Sequence, residues 1–259
     1  MSIYISVVSH GHASIIERIA CLPGLQSCIG TEVIVVDNVG EQSLKIWCSK
    51  NSITYVKNEI EKGFGENNNS IFEYAGKKMG LCDEDYFLVL NPDVYVSAQC
   101  IIDIQKLASQ YGHQLSTLNL FKNRELSAFD YCVRSFPSLF DFVGSYIGFG
   151  NKTIIEKEKV VENLAVDWAA GSFLLFKASL FKKLGGFDPN YFMYCEDIDI
   201  CWRAKKILNR PLFFYPKIKA VHYAQHANRS FFSKHFIWHV KSMIRYLLLN
   251  SGLRKPYMK

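Results

Sequence analysis

The chain has 259 residues, a length that suits one large α/β domain or two small ones and allows a sizeable core. Hydrophobic residues make up 49% and charged residues 21%, as in an ordinary soluble protein, and no apolar run approaches the length needed to span a bilayer. The net charge of +6 permits attraction to phosphates, nucleotides or an anionic membrane face, but proves none of them.

The eight cysteines are scattered, with no CxxC pair and no His/Cys spacing typical of a metal site. Met1 to Ser9 lacks the basic start and the long apolar run of a signal peptide. We therefore expect a reducing cytoplasm and free, mostly buried thiols.

The first third of the chain alternates apolar runs with helical patterns. Ile3–Ser9 (IYISVVS) and Glu32–Val36 (EVIVV) predict buried strands, and Thr54–Val56 predicts a third. This rhythm implies a parallel sheet, in which ligands bind beyond the carboxyl ends of the strands. Ser9 and Asp37 would meet at that edge, so we interpret Asp37 as a ligand-binding residue, with a turn former as the alternative.

The segment Lys62–Ser70 (KGFGENNNS) predicts a glycine- and asparagine-rich turn before a helix over Ile71–Lys78. Such a turn can bring backbone N–H groups up to a phosphate or sugar. It matches neither GxGxxG nor a P-loop, and an ordinary loop before a capped helix is the alternative.

The run Tyr86–Leu90 (YFLVL) predicts a core strand, directly followed by Asn91, Pro92 and Asp93. Because Pro92 fixes the backbone, Asp93 should project from the strand end. A carboxylate there can hold Mg²⁺ or Mn²⁺, which in turn neutralises a diphosphate. A type I turn with Asp is the alternative.

From residue 115 to 166 the patterns are weaker. Residues 140–149 are apolar and aromatic and could form either a mobile or an acceptor-contacting segment, whereas the charged segment 151–163 should be solvent-exposed. Val166–Phe176 (VDWAAGSFLLF) resumes strand character, interrupted by a turn at Gly171. Trp168 either stacks on a sugar or packs in the core.

An acidic cluster in an apolar setting lies within Tyr191–Arg203 (YFMYCEDIDICWR). The spacing predicts a helix from Glu196, with Asp199 and Arg203 paired one turn apart. Glu196 and Asp197 fall in its first turn, where the helix dipole favours carboxylates. Clustered acids among apolar neighbours tend to have shifted pKa values suited to proton transfer, so we predict a catalytic carboxylate here rather than a simple helix cap.

Two features follow in the last quarter. His222 is a candidate metal ligand if the fold brings it to Asp93, and otherwise an ordinary polar residue. Ser230 to Asn250 predicts a long amphipathic helix. We expect it to dock on the body of the protein, and the alternative is a basic helix lying on a cytoplasmic membrane face.

Taken in order, the motifs resemble the inverting family 2 glycosyltransferases of GT-A fold, and within them the bacterial O-antigen rhamnosyltransferases. The resemblance covers nearly the whole chain, through the motifs VVSHGH, VIVVDN, GFGENNN, LNPD, VDWAAGSF, GGFDPNYFMYCEDIDICWR and AVHYAQHANRSFFSK. It implies a Rossmann-like, mostly parallel central sheet flanked by helices. It further implies one catalytic domain over 1–228, split into a nucleotide-sugar-binding half (1–114) and an acceptor-binding half (115–228), with a helical extension over 229–259.

The resemblance also implies roles for individual residues. Asp197 matches the general base and Glu196 its neighbour, while Trp168 and Gly171 would line the acceptor pocket. Asp93 and His222 would hold a divalent cation, Mg²⁺ or Mn²⁺, although Asn91 replaces the first acid of the family's DxD motif. The residues implied to contact the nucleotide sugar are Ser9, Asp37, Gly63, Asn69, Asn91, Asp93 and Arg229.

The reaction implied is transfer of L-rhamnose from dTDP-L-rhamnose to a lipid-linked saccharide in O-antigen or related polysaccharide synthesis. The enzyme would be cytoplasmic, with peripheral contact at the inner membrane. A UDP-sugar donor, such as UDP-galactofuranose or a UDP-hexose, is an alternative within the fold. A non-catalytic nucleotide- or glycan-binding module is an alternative of another class, supported only by Asn91. Nucleic-acid binding ranks low, because the basic residues are dispersed.

Overall fold

The computed structural model describes residues 1–146, 148, 150–224 and 234–258. Its strands are β1 (Ile3–Ser9), β2 (Thr31–Asp37), β3 (Thr54–Lys57), β4 (Tyr86–Leu90), β5 (Val94–Tyr95), β6 (Leu115–Phe121), β7 (Val133–Arg134), β8 (Leu164–Val166), β9 (Trp168–Ala169), β10 (Phe173–Lys177) and β11 (Leu212–His222). Its helices are α1 (Ala13–Ile19), α2 (Leu22–Gln26), α3 (Gln42–Lys50), α4 (Phe64–Lys78), α5 (Ala98–Tyr111), α6 (Leu139–Tyr146), α7 (Ala178–Lys183), α8 (Glu196–Lys206) and α9 (Lys234–Asn250), with a 3-10 turn at Lys157–Lys159.

The central sheet is mixed. Strands β3, β2, β1 and β4 are parallel neighbours in that order. Strand β10 pairs antiparallel with both β4 and β6, and β11 runs parallel to β6. Strands β5 and β8 pair antiparallel with β11, and β7 and β9 form a separate two-stranded ribbon. Six of the nine strands of this sheet run in one direction, as the sequence predicts, but the antiparallel strand β10 lies in its middle.

The buried strands of this sheet explain its helical covering. Every residue of β1 and of β4 is buried, on both faces, as are all residues of β2 except Glu32. A strand that is apolar on both faces needs helices on each side to exclude water.

The predicted free thiols are confirmed, since all eight cysteines are free and five of them are buried. Within the described residues, none of the helices is long and apolar enough to cross a lipid bilayer.

The predicted turn over Lys62–Ser70 is wrong, because α4 already begins at Phe64. Asn67 donates from Nδ2 to the carbonyl oxygens of Lys62 and Gly63, both at 3.0 Å, and Asn68 donates to Phe64 O at 2.9 Å. The asparagines are thus satisfied by the backbone of the helix start instead of breaking the helix. Asparagine has a low intrinsic helix propensity, and tertiary packing overrides it here.

The expectation that residues 151–163 are solvent-exposed is also wrong in part. Thr153 is 5% exposed and Lys157 only 2%. The Lys157 ammonium donates to Leu120 O at 2.9 Å and lies 5.7 Å from the Phe129 ring and 5.9 Å from the Phe214 ring. A charged segment can be anchored in this way when one cation finds a carbonyl oxygen and two aromatic faces.

The C-terminal helix docks on the body of the protein, as expected. Ser242 donates to Met193 O at 2.8 Å, and Trp202 donates from its indole to Asn250 at 2.9 Å. The predicted start of this helix at Ser230, and residue Arg229, lie outside the described residues. Residues 140–146 of the predicted apolar segment lie in α6, and the ring of Phe142 packs 6.2 Å from that of Tyr246 in α9. Residues 147 and 149 of that segment lie outside the described residues.

Candidate active site

Most of the predicted site residues meet at one edge of the sheet. Ser9 and Asp37 are aligned at the carboxyl ends of β1 and β2. Asn91 follows β4, and its N–H donates 3.0 Å to Ser172 O at the start of the antiparallel β10. His222, the last residue of β11, is paired with Val94 of β5. Because β10 runs in reverse, its beginning reaches the same edge as the ends of its parallel neighbours.

Asp37 is fully buried and fully engaged with the protein. Its two oxygens accept hydrogen bonds from the N–H groups of Val39 (3.1 Å), Gly40 (2.8 Å) and Glu41 (2.5 Å), and from Tyr55 Oη (2.8 Å). These contacts order the loop that leads into α3. A contact between Asp37 and a nucleotide stays a prediction.

Ser9 belongs to the same loop system. Its hydroxyl accepts a hydrogen bond from His12 N–H at 3.2 Å and lies 3.4 Å from Glu41 Oε2. The Glu41 carboxylate also accepts from Ala13 N–H at 3.1 Å, at the start of α1. Glu41 was not predicted as a site residue, although its carboxylate links the two loops at the strand ends.

Gly63 and Asn69 lie against the loop that precedes the acidic helix. Asn69 donates from Nδ2 to Phe187 O and accepts from Phe187 N–H, both at 2.8 Å. A Cβ on Gly63 would lie 2.4 Å from Phe192 O, so only glycine allows this backbone approach. Both residues hold the loop over 187–192, and their predicted contact with the nucleotide stays a prediction.

The acidic helix begins from a strained backbone. Tyr194 and Cys195, the two residues before α8, have φ values of 72° and 62°, in the left-handed region. Non-glycine residues there cost of order 1 kcal/mol or more and cluster at functional sites. The helix then starts with the predicted pair, Glu196 and Asp197, in its first turn.

The two acids differ in environment. Glu196 is 6% exposed, and its Oε2 is buried with no hydrogen-bond partner among the described residues. Asp197 is partly exposed and accepts from the N–H groups of Gly171 (3.2 Å) and Ile198 (2.8 Å). Burial raises the pKa of both carboxyls, well above the usual range for Glu196 and less far for Asp197. Asp197 is therefore the acid that is held in place and reachable.

The predicted pair of Asp199 and Arg203 is confirmed. Arg203 Nε lies 2.7 Å from Asp199 Oδ2, and both side chains are fully buried. Arg203 also donates to the carbonyl oxygens of Leu184 (2.7 Å) and Gly186 (3.0 Å). This pair serves structure, because it fastens α8 to the loop after α7.

Trp168 is mostly buried, at 8% exposure, and its indole donates to Ser135 O at 2.9 Å. Burial favours the interpretation of Trp168 as a packed side chain, and its contact with an acceptor stays a prediction. The Arg134 guanidinium lies 5.7 Å from the Trp168 ring. Burial raises the pKa of Asp197, and the Arg134 charge opposes that rise, so Arg134 is a further candidate site residue that the sequence patterns did not indicate.

Asp93 and His222, predicted as metal ligands, do come together. His222 Nε2 lies 3.2 Å from Asp93 Oδ1, and both side chains are about 85% shielded from solvent. On the other side of the ring, Nδ1 lies 2.6 Å from Asp130 Oδ2. Burial alone would lower the pKa of His222, but the hydrogen bonds that its ring donates to Asp130 and Asp93 raise it to about 9.

The donor set of Asp93 and His222 fits a divalent cation. Two adjacent ligands of an octahedral ion at about 2.1 Å from the metal lie about 3 Å apart, close to the spacing found here. Within the described part of the chain, no cluster of three or more His, Cys, Asp or Glu side chains has metal-site geometry. Mg²⁺ sites in proteins usually combine one or two side-chain ligands with water and substrate phosphate oxygens.

Comparison with known proteins identifies the family. No protein-family model matches the chain. The chain is 42% identical over 247 residues to the rhamnosyltransferase WbbL of Escherichia coli K12, covering 95% of this chain and 92% of the relative. The chain belongs to the rhamnosyltransferase family. A second rhamnosyltransferase, the N-acetylglucosaminyl-diphospho-decaprenol L-rhamnosyltransferase of Mycobacterium tuberculosis, is 27% identical over 196 residues, covering 71% of this chain and 63% of the relative.

The fold of this rhamnosyltransferase is that of the GT-A glycosyltransferases. The crystal structure of GalNAc-T7 with UDP, GalNAc and Mn²⁺ superimposes with a TM-score of 0.63 and 12% identity. The match covers 96% of this chain and 48% of GalNAc-T7. At such low identity the likeness concerns the fold alone. Membership of the rhamnosyltransferase family makes the enzyme a hexosyltransferase of cell-surface glycan synthesis, and its fold is GT-A.

Proposed function

We propose that this enzyme transfers L-rhamnose from dTDP-L-rhamnose to a saccharide carried on a lipid diphosphate, with inversion at the anomeric carbon. The observation that carries the proposal is the position of Asp197, which is partly exposed, anchored by Gly171 N–H and raised in pKa by burial. A carboxylate with these properties suits a general base for an acceptor hydroxyl. The mycobacterial relative is named for N-acetylglucosaminyl-diphospho-decaprenol, which supports an acceptor on a polyprenyl diphosphate.

The chemistry follows from these side chains. Asp197 takes the proton of the acceptor hydroxyl, and the freed electron pair attacks the anomeric carbon from the side opposite the donor's diphosphate. The bond between that carbon and the diphosphate oxygen breaks, and the nucleoside diphosphate leaves with its electron pair. One displacement inverts the centre, so no covalent nucleophile is needed.

A divalent cation bound at this site would neutralise charge on the departing diphosphate. Asp93 and His222 are the side chains that would hold it, and Asn91 could add an amide oxygen. Mn²⁺ in the solved structure of GalNAc-T7 supports a divalent cation, although the choice between Mg²⁺ and Mn²⁺ belongs to experiment.

The first test is a thermal-shift panel of dTDP, UDP, GDP and CDP, each with and without Mn²⁺ or Mg²⁺. A ligand that binds only the folded state raises the melting temperature by mass action. We expect a metal-dependent rise in melting temperature that is largest with dTDP. In a separate assay, the enzyme should transfer rhamnose from dTDP-L-rhamnose. A preference for UDP would replace rhamnose by a sugar from a UDP donor, such as UDP-galactofuranose or a UDP-hexose. No shift with any nucleotide, and no hydrolysis of a sugar nucleotide, would favour a non-catalytic binding module.

We place the enzyme at the cytoplasmic face of the membrane, docked through the outer face of α9. Residues 200–259 hold 13 of the 30 lysines and arginines and none of the 24 acidic residues. The outward stripe of α9 alternates cations with aliphatic side chains: Lys234, Ile237, Lys241, Ile244 and Leu248 are all exposed. Such a stripe suits an anionic lipid surface, where lysines reach the headgroups and aliphatic groups enter the interface.

Flotation with vesicles tests this docking separately from catalysis. Lys234→Glu with Lys241→Glu should abolish binding to vesicles that contain phosphatidylglycerol, whereas Lys78→Glu with Lys183→Glu makes the same charge change on exposed lysines elsewhere. We expect the control pair to float like the wild type. Equal flotation of both variants, or equal binding to pure phosphatidylcholine, would remove the charged stripe from membrane docking.

A further inference from the structure

His222 is held between two carboxylates, and the contact with Asp130 is the closer one. Nδ1 lies 2.6 Å from Asp130 Oδ2, whereas Nε2 lies 3.2 Å from Asp93 Oδ1. The three side chains are between 13% and 17% exposed, so the contacts are largely shielded from water. An imidazole has only two ring nitrogens, and a partner on one of them determines which way the other faces.

Asp130 is itself fixed by the end of the sheet. Its N–H donates to Leu120 O at 3.0 Å, and Phe129 next to it forms a bridge with Phe121, with ring centroids 4.7 Å apart. Lys122 N–H closes the same hairpin onto Ala128 O at 2.7 Å. The carboxylate therefore stands on a short, paired extension of β6 rather than on a free loop.

The buried cation of Lys157 lies next to the hairpin that carries Asp130. The Lys157 ammonium donates to Leu120 O at 2.9 Å, and this carbonyl oxygen also accepts the Asp130 N–H. Lys157 is 2% exposed, so its charge is poorly screened by water. The Leu120 carbonyl oxygen thus joins the Lys157 side chain to the backbone of Asp130 and anchors this end of the hairpin.

We infer that Asp130 is a positioning residue, which holds His222 by Nδ1 and so aims Nε2 at the cation site beside Asp93. The inference rests on the proposed cation site. A histidine that ligates a metal commonly donates its other ring N–H to a carboxylate, which fixes ring orientation and tautomer. In this scheme Asp130 acts through its contact with the imidazole and is not itself a metal ligand.

The experiment measures Mn²⁺ binding by the loss of its free EPR signal, with Mn²⁺ alone as the probe. Asp130→Ala should weaken binding about 10- to 100-fold, and Asp130→Asn less, since an amide oxygen can still accept from Nδ1. Asp85→Ala is the matched control, because Asp85 is a 6% exposed carboxylate at the opposite end of β4 that accepts backbone N–H bonds. It should lose stability without losing Mn²⁺ affinity.

A double-mutant cycle separates positioning from ligation. If Asp130 acts through the ring, Asp130→Ala should cost no further affinity in a His222→Ala background. An equal loss in both backgrounds would overturn the inference, and so would unchanged Mn²⁺ affinity in folded Asp130→Ala.

A metal-free readout keeps the contact testable if the cation site is wrong. The short bond at Nδ1 should give a far-downfield ring proton signal in NMR that disappears in both Asp130→Ala and His222→Ala. If the wild-type protein binds no Mn²⁺, the proposed cation site is wrong, and so is the inference that Asp130 orients His222 Nε2 toward it. A signal that persists in Asp130→Ala would overturn the contact itself.

Discussion

Arg245 of α9 donates from both Nε and Nη2 to one oxygen of Asp188 in the loop before α8, at 3.1 and 2.7 Å from Oδ2. Arg254 reaches the same oxygen from beyond the end of α9. The Asp188 side chain is fully buried, and Ser242 of the same helix donates to Met193 O. The C-terminal segment is therefore part of the support for the loop that leads to Glu196 and Asp197.

Replacing Arg245 by Met should lower the free energy of unfolding by about 1–3 kcal/mol at neutral pH, because it removes one of two cations from a buried carboxylate. Burial alone would raise the pKa of Asp188, but hydrogen bonds from Asn190 and Arg245 lower it. A lowered folded-state pKa stabilises the protein above the unfolded value of about 3.9, and this contribution is lost as the pH falls. The deficit of Arg245→Met should therefore shrink on acidification.

Urea unfolding at a series of pH values checks this prediction. Lys182→Met is the control, because its pair with Asp83 has exposed partners (67% and 59%) and should contribute little. A deficit of Arg245→Met that grows as the pH falls would contradict the role given to Asp188.

Replacing Glu196 by Gln should stabilise the protein by about 1 kcal/mol near neutral pH, since it removes a buried charge. Burial raises the pKa of Glu196, so the folded state binds this proton more tightly than the unfolded state does. Stability from this group is full below the unfolded pKa of about 4.3 and falls as the pH rises above it. The gain should appear in thermal melts near pH 7 and vanish near pH 4.

The neighbouring acid provides the opposite control. Asp199→Asn removes the charged partner of Arg203, which is fully buried with it at 2.7 Å, and so should destabilise the protein. If Glu196→Gln were as destabilising as Asp199→Asn, Glu196 would have a stabilising partner.

Replacing Asp197 by Asn should reduce kcat by about 10²- to 10⁴-fold and leave donor affinity nearly unchanged, as expected for loss of a general base. Because burial raises the pKa of Asp197, the acid limb of the wild-type pH–rate profile should lie above the usual aspartate range. Steady-state kinetics with binding of the nucleotide donor measures both effects. A larger kcat loss in Glu196→Gln than in Asp197→Asn would move the base to Glu196.

Replacing Gly63 by Ala should disturb the loop over 187–192, because the new Cβ would lie 2.4 Å from Phe192 O and 2.8 Å from Phe192 Cα. We expect reduced turnover and a loss of stability of about 1–3 kcal/mol, as for overpacking. Gly76→Ala is a matched change on the same helix, where a Cβ meets no atom within 4 Å. It should stabilise the protein by about 0.5–1 kcal/mol with normal kinetics. Similar melting temperatures for the two variants would argue against the close approach at Gly63.

Local chemistry in the sequence determined several elements and part of the site. The apolar runs Ile3–Ser9 and Tyr86–Leu90 are strands with the predicted bounds, and Ser97 caps α5 by accepting from Cys100 N–H. Asp199 and Arg203 pair because helical spacing alone places them one turn apart. Patterns of this kind depend on neighbours in the chain, so the residues themselves specify them.

Only the tertiary structure decided the contacts between distant segments. Asp130 lies 92 residues from His222, and no local pattern marks it as the partner of that ring. The antiparallel strand β10 lies between β4 and β6 and brings Gly171 to Asp197. The start of α4 at Phe64 depends on asparagine side chains that donate hydrogen bonds to backbone carbonyl oxygens. Burial also distinguishes the two neighbouring acids. Glu196 and Asp197 are adjacent in the sequence, but packing buries Glu196 and leaves Asp197 partly exposed. These properties arise from desolvation and from long-range hydrogen bonds, which a linear sequence does not encode locally.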